Sequence, residues 1–230
     1  CSSDLGLDWH WDVPLYTRLL EVSGGKERLL HYWRMVQPGL KEVDGGAVRD
    51  TVARLHEIKT ACYEQAISAG AVALRPGVLT LMQAALNQGL QLAIATTTSP
   101  VNIAALLRTA IGPDWRSHFL AIGDASNAPL KKPHPQVYLK VLADMRLDPA
   151  QCVAFEDSAN GLQSATAAGL ATVITPTSYT AQHDFGAALR VLPDLSQLDL
   201  GQLRQWLSER EAAQGSRRPA AKPPSAPRRR

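Results

Sequence analysis

The sequence predicts an α/β protein: a parallel sheet covered by helices on both faces, preceded by an all-helical stretch. Three observations predict it. From about residue 12 to residue 74 apolar residues recur at helical spacing, with no strand-like run between them. After Pro76-Gly77 short continuous apolar runs alternate with helical patterns, as in parallel sheets buried on both sides. The residues directly after these runs are hydroxyl-bearing, acidic or basic, and in open parallel sheets ligands bind beyond the carboxyl ends of the strands.

In chain order, the first helix carries Leu15, Leu19, Leu20 and Val22 and stops at Gly24-Gly25. A second presents Leu29, Leu30, Trp33 and Met35. A third runs through Val48, Val52, Leu55, Ile58, Cys62 and Ile67 and ends near Gly70. Strands are expected at Gln91–Ala95, Phe119–Ile122, Cys152–Phe155 and Ala171–Ile174. Helices are expected around 78–88, 100–110, 135–145 and 159–168. The four apolar runs lead into Thr96-Thr97-Thr98-Ser99, Gly123-Asp124, Glu156-Asp157-Ser158 and Thr175-Pro176-Thr177, with Lys131-Lys132-Pro133 between the second and third. Hydroxyls, a lysine and a carboxylate pair thus converge on one sheet edge, which suits a phosphate and a divalent cation.

Each group has a plainer reading beside the functional one. Thr96, where a strand gives way to a helix, can hold a phosphate oxygen together with free backbone N–H groups, or can simply cap the helix. Lys132, in a proline-rich turn, can neutralise phosphate charge or be a solvated surface lysine. Glu156 and Asp157 would repel each other unless a cation offsets them, and Mg²⁺ favours one or two carboxylates completed by water and substrate oxygens. The alternative is that Asp157 or Ser158 only caps the next helix. Gly25-Lys26 is not a P-loop, because Leu20 stands where a glycine is needed and Glu27 where Ser or Thr is needed. His56-Glu57 opens a metalloprotease-like pattern, but Thr60 stands in place of the second histidine. His134, between two prolines, reads as an exposed loop residue.

Apolar residues make up 45% and charged residues 20% of the 230, enough to bury a core, and no apolar run approaches the roughly 18 residues that a membrane helix needs. The net charge of +3 is uneven: residues 214–230 hold six Lys or Arg and no acid, leaving residues 1–213 at −3. That Pro-, Ala- and Arg-rich tail is expected to be disordered, and apart from it nothing suggests a nucleic-acid protein. Of three cysteines, Cys62 and Cys152 lie among apolar residues and are expected to be buried thiols in a reducing, cytoplasmic setting.

Residues 4–192 resemble the haloacid dehalogenase (HAD) superfamily, in the subfamily with an inserted helical cap. The order carries the resemblance: a helical segment, then IATTTS, KKPHP and FEDSANG. SGGKER with LAIATTTSPVN is more specifically similar to CbbY-type phosphatases, known for removing xylulose 1,5-bisphosphate, and beta-phosphoglucomutases are close relatives. The resemblance implies a Rossmann-like core at 75–213, a helical cap at 13–74, a core-helix or linker remnant at 1–12 and the tail at 214–230. It implies that Thr96 binds the transferring phosphoryl group, with Thr97 beside it, and that Lys132 neutralises nucleophile and phosphoryl oxygens. It makes Glu156 and Asp157 the Mg²⁺ site and Lys26, Arg28 and Lys59 the cap contacts to a small sugar phosphate. It implies a monomer with no membrane partner. A phosphomutase and a non-catalytic phosphate-binding protein are the alternatives.

The family pattern begins with a strand ending in Asp-x-Asp-Gly-Thr, whose first Asp attacks phosphorus. Asp4, Asp8 and Asp12 have other spacing and no Gly-Thr turn. The nucleophile is therefore expected upstream of Cys1, on a central strand whose loss would leave unpaired backbone and a poorly folded chain.

Overall fold

The computed structural model describes residues 6–39 and 45–215, so the basic segment 216–230 lies outside the described residues. Three helices come first: α1 (Val13–Leu19), α2 (Gly25–Val36) and α3 (Gly46–Ser68). Asp12 caps α1 by accepting from the Leu15 N–H at 2.8 Å, and Pro14 in its first turn costs no hydrogen bond there. Trp9 meets Tyr32 and Trp33 edge-on at 5.2 and 5.0 Å, and Trp11 meets Tyr32 at 5.2 Å. Residues 9–11 thus pack on α2 through aromatic edges that favour this T-shaped geometry.

The second part alternates helix and strand as far as its fourth strand. Helix α4 (Val78–Asn87) precedes β1 (Ala93–Ala95), α5 (Pro100–Ile111) precedes β2 (Ala121–Gly123), and α6 (Gln136–Met145) precedes β3 (Val153–Glu156). Then come α7 (Ala159–Ala167), β4 (Ala171–Ile174), β5 (Arg190–Val191) and α8 (Leu200–Gly215). All pairings are parallel, but the strands form two sheets, β1-β2 and β3-β4-β5, rather than one. Among the described residues only β4 is paired on both sides, and it is the only strand buried throughout. Val173 and Ile174 are fully buried, each contributing about 1.5–3 kcal/mol.

Apolar packing joins the layers. Val137, Leu142, Ala154 and Ala165 cluster between α6, β3 and α7, while Leu81, Val173, Leu200 and Leu203 join α4, β4 and α8. Gly123 lets α6 come close, since a Cβ there would lie 2.8 Å from Val137 Cγ2. Where the helical stretch enters the α/β part, Arg75 donates to the carbonyls of Thr175, Pro176 and Pro193 and to Thr175 Oγ1. Next to it Gly77, at φ +80°, has no room for a Cβ, which would lie 2.1 Å from the Leu195 backbone.

Several expectations are corrected. Cys62 is exposed on α3, and only Cys152 packs partly against the core. Periodicity names a helix face but not how much of it is covered, and Cys62 lies on an exposed part of α3. Met35, assigned to the apolar face of α2, is 49% exposed for the same reason. Helix α8 lies beyond the expected elements and extends to Gly215, into the segment expected to be tail. The two-residue β5 is likewise additional to the four expected strands.

Candidate active site

The ends of β1, β2 and β3 bring the expected residues together. Thr96 comes directly after β1 and extends its ladder, its N–H donating to the Gly123 carbonyl at 2.9 Å. Its hydroxyl accepts from the Thr98 N–H at 3.2 Å, and Thr98 Oγ1 accepts from Asn102 at 3.1 Å. This folds the loop over the start of α5, whose N-cap Ser99 makes no side-chain cap hydrogen bond. The first-turn N–H groups of a 12-residue helix therefore stand without a cap beside the Thr96 hydroxyl. Lys131 ties this loop to the one before α6, donating to the Thr97 carbonyl at 3.4 Å.

Lys132 lies across the gap between the two sheets. Its ammonium donates to the Ala95 carbonyl at the end of β1, at 2.9 Å, and pairs with Glu156 Oε1 at the end of β3. The pair is largely buried, with side chains 12% and 9% exposed. Such a pair is stable only if further hydrogen bonds satisfy both groups. The Ala95 carbonyl does so for Lys132, and the Tyr138 hydroxyl, donating to the same Glu156 Oε1, does so for the carboxylate. Lys132 Nζ also sits 5.0 Å from the Tyr138 ring centroid, a favourable position for a cation. Burial, then the Glu156 charge and hydrogen bond, then Asp157 push the Tyr138 hydroxyl well above the usual tyrosine range, so it stays a donor. Gly161 in α7 gives the carboxylate room, because a Cβ there would lie 2.0 Å from Glu156 Oε2.

Of the two readings weighed for the acids, the structure divides the roles. Ser158 caps α7, accepting from the Gly161 N–H at 3.2 Å, and Asp157 is left exposed at the strand end. Among the described residues no group of three or more His, Cys, Asp or Glu converges on a metal position. The donors fit Mg²⁺ in kind: an exposed carboxylate beside a second one, with the remaining positions left for water and phosphate oxygens.

A second cluster lies among α1–α3. A cavity of about 330 Å³ is lined by Trp9, Trp11, Leu55, Arg28, His56 and Lys59. Arg28 is also committed to structure: it donates to the Leu19 and Val22 carbonyls at 3.0 and 3.1 Å, and its guanidinium stands 5.5 Å from the Tyr16 ring. Partial desolvation, then Arg28, hold the Lys59 ammonium below its usual range, and its Nζ lies 5.0 Å from the Tyr63 ring. Lys26, in the first turn of α2, is exposed and close enough to act on His56. The structure thus sets Thr96, Thr97, Lys132, Glu156 and Asp157 at the strand ends and Lys26, Arg28 and Lys59 among the helices.

Sequence reasoning missed Tyr138 and His56. Tyr138 gives no signal beyond its place in a helix. His56 fails as part of a metal motif, yet His56 and Lys59 stand three apart on one helix and so share a face. That spacing is the available signal.

A family model described as haloacid dehalogenase-like hydrolase matches residues 14–169. The chain belongs to this family. Among HAD-like relatives, Protein CbbY (plasmid) of Cupriavidus necator is 54% identical over 193 residues, covering 84% of this chain and 75% of that protein. The crystal structure of CbbY from Rhodobacter sphaeroides in complex with phosphate has a TM-score of 0.78 at 36% identity, covering 88% of this chain and 87% of that one. A mutant of the same protein in complex with xylulose-(1,5)bisphosphate gives 0.78 at 36% identity, covering 87% of each chain. A beta-phosphoglucomutase from Clostridium difficile, at 20% identity and a TM-score of 0.70, shares the HAD fold.

Proposed function

We propose that this HAD-like chain is a Mg²⁺-dependent phosphatase that hydrolyses a sugar bisphosphate, xylulose 1,5-bisphosphate, through an aspartyl-phosphate on an Asp upstream of Cys1. The observation that carries the reading is Lys132: a nearly buried cation at the strand ends, held by Glu156 and by the carbonyl of Ala95, the residue before Thr96. A fixed cation and preorganised donors in a site largely shielded from water suit a phosphoryl group on which negative charge develops. Thr96 and the first-turn N–H groups of α5 would orient that group, and Lys132 would neutralise its oxygens. Mg²⁺, held by Asp157 with Glu156, would offset charge on the phosphoryl group and on the attacking carboxylate. The cationic cavity among α1–α3 supports a second anionic group on the same substrate, and this helical stretch would serve as the cap that closes over it.

The test is product analysis of xylulose 1,5-bisphosphate incubated with the intact protein and Mg²⁺. Free phosphate and xylulose 5-phosphate are expected. A phosphate moved to another carbon would make the protein a mutase. Saturable binding without any release, from a protein that carries the Asp, would overturn the phosphatase reading.

A further inference from the structure

His56 is the histidine in the wall of the cavity among α1–α3. It projects from α3 onto the first turn of α2, where the absence of a side chain at Gly25 makes room: a Cβ there would lie 2.8 Å from His56 Cδ2 and 3.0 Å from Nε2. The charged groups that act on it come from three elements. Lys26 and Glu27 stand on α2, Lys59 on α3, and Lys131, whose ammonium donates to the Thr97 carbonyl, acts from the loop before α6, with Arg28 of α2 in the cavity wall. Three lysines and one glutamate therefore act on the imidazole. A base in such a place stays neutral, and burial followed by Lys26 and Lys59 holds His56 below the ordinary imidazole range.

An arriving phosphate dianion reverses this balance. It neutralises the lysines that oppose protonation of the ring and becomes the nearest anion. We propose that His56 is a specificity-determining residue for the second phosphate of the substrate, taking up one proton from solvent as that dianion enters the cavity. The inference rests on the bisphosphate reading above. A substrate with one phosphate, held at the Lys132 site, draws no proton to His56. A bisphosphate gains an additional charge-assisted hydrogen bond that the empty cavity does not hold ready. The neutral ring also keeps the free protein from adding another charge to a cluster that is already cationic.

The experiment is calorimetric titration into the protein of xylulose 1,5-bisphosphate and of xylulose 1-phosphate, which keeps only the phosphate held at Lys132, with chelator present so that turnover does not intrude. Buffers of differing ionisation enthalpy count the protons exchanged. For the bisphosphate, uptake of about one proton is expected near pH 7.5, and the dissociation constant should rise about tenfold per pH unit above the free imidazole's titration. His56→Asn should abolish that uptake and flatten the profile while leaving xylulose 1-phosphate binding unchanged. Gly25→Ala, which displaces the ring without altering charge, should reduce the uptake. Bisphosphate binding with no proton taken up, or an identical profile in His56→Asn, would overturn this inference and leave the phosphatase reading intact. No bisphosphate binding by the unaltered protein would overturn both.

Discussion

The strand-end site and the helical cavity both gather lysines, but they neutralise them in opposite ways. At the strand ends Lys132 meets Glu156, Tyr138 and the Ala95 carbonyl, so its charge is balanced within the protein. At the helical cavity Lys59 in the wall, with Lys26 and Lys131 from outside it, acts on His56 against Glu27, and further balancing charge would come from a ligand. The first arrangement is part of what holds the fold together. The second is a cost that the fold carries until an anion arrives. Substitutions should therefore separate the two sites: the first should lose stability and function together, the second function alone.

The largest effect is expected for Lys132→Ala. It strands Glu156 in a nearly buried position, which should cost about 3–5 kcal/mol in denaturant unfolding. In the intact protein it should lower phosphate release by about 10²–10³-fold. Wild-type stability in this variant would show that Lys132 is not part of the frame. Next comes Tyr138→Phe, which keeps the ring and removes one donor to a charged group, for about 1.5–3 kcal/mol. Lys132 would then be less firmly held, so turnover should fall while substrate affinity changes little. An equal loss in both would place the tyrosine in substrate binding.

Lys59→Ala should reverse that pattern. Affinity for xylulose 1,5-bisphosphate should fall about tenfold, roughly 1.4 kcal/mol. Unfolding free energy should stay within about 0.5 kcal/mol of wild type. A large stability loss would erase the distinction between the two sites. The smallest effect concerns acid. Because the folded protein holds His56 below its ordinary value of 6.5, the unfolded chain binds more protons as pH falls through that range. His56 thus contributes stability that is present above pH 6.5 and is lost as pH falls through its folded value. His56→Asn should flatten the acid limb of a melting-temperature profile, and an unchanged slope would argue against a depressed imidazole.

The same contrast explains what is legible in the sequence. β1 to β4 and α4 to α7 are readable because each is a continuous apolar run or a helical repeat bounded by Gly, Pro or a capping residue. Thr96, Lys132, Glu156 and Asp157 are readable because strand ends are fixed by that alternation. Helix α8 carries Leu200, Leu203, Trp206 and Leu207 at helical spacing, so its signal is present, although its last residues fall in the segment whose composition suggests a tail. β5 spans two exposed residues and exists only because β4 offers an edge, so no local pattern encodes it. Tyr138 illustrates the deeper limit. Its hydroxyl matters only because α6 and β3 pack together, a relation between residues 18 apart that no spacing rule expresses. Arg28 shows the reverse: a resemblance assigns it to the substrate, while local geometry also employs it at the end of α1.

The division of the strands into two ribbons bears on how the protein behaves in a crowded solution. Unpaired strand edges are templates on which other chains can add, the usual route from a soluble protein to an aggregate. In these ribbons the edge strands are only two to four residues long, and the largely buried Lys132–Glu156 ion pair lies between the ends of β1 and β3. A charged side chain in such a place discourages flat, extended stacking. The lysine suited to hold a phosphate is thus also suited to act as a gatekeeper for solubility.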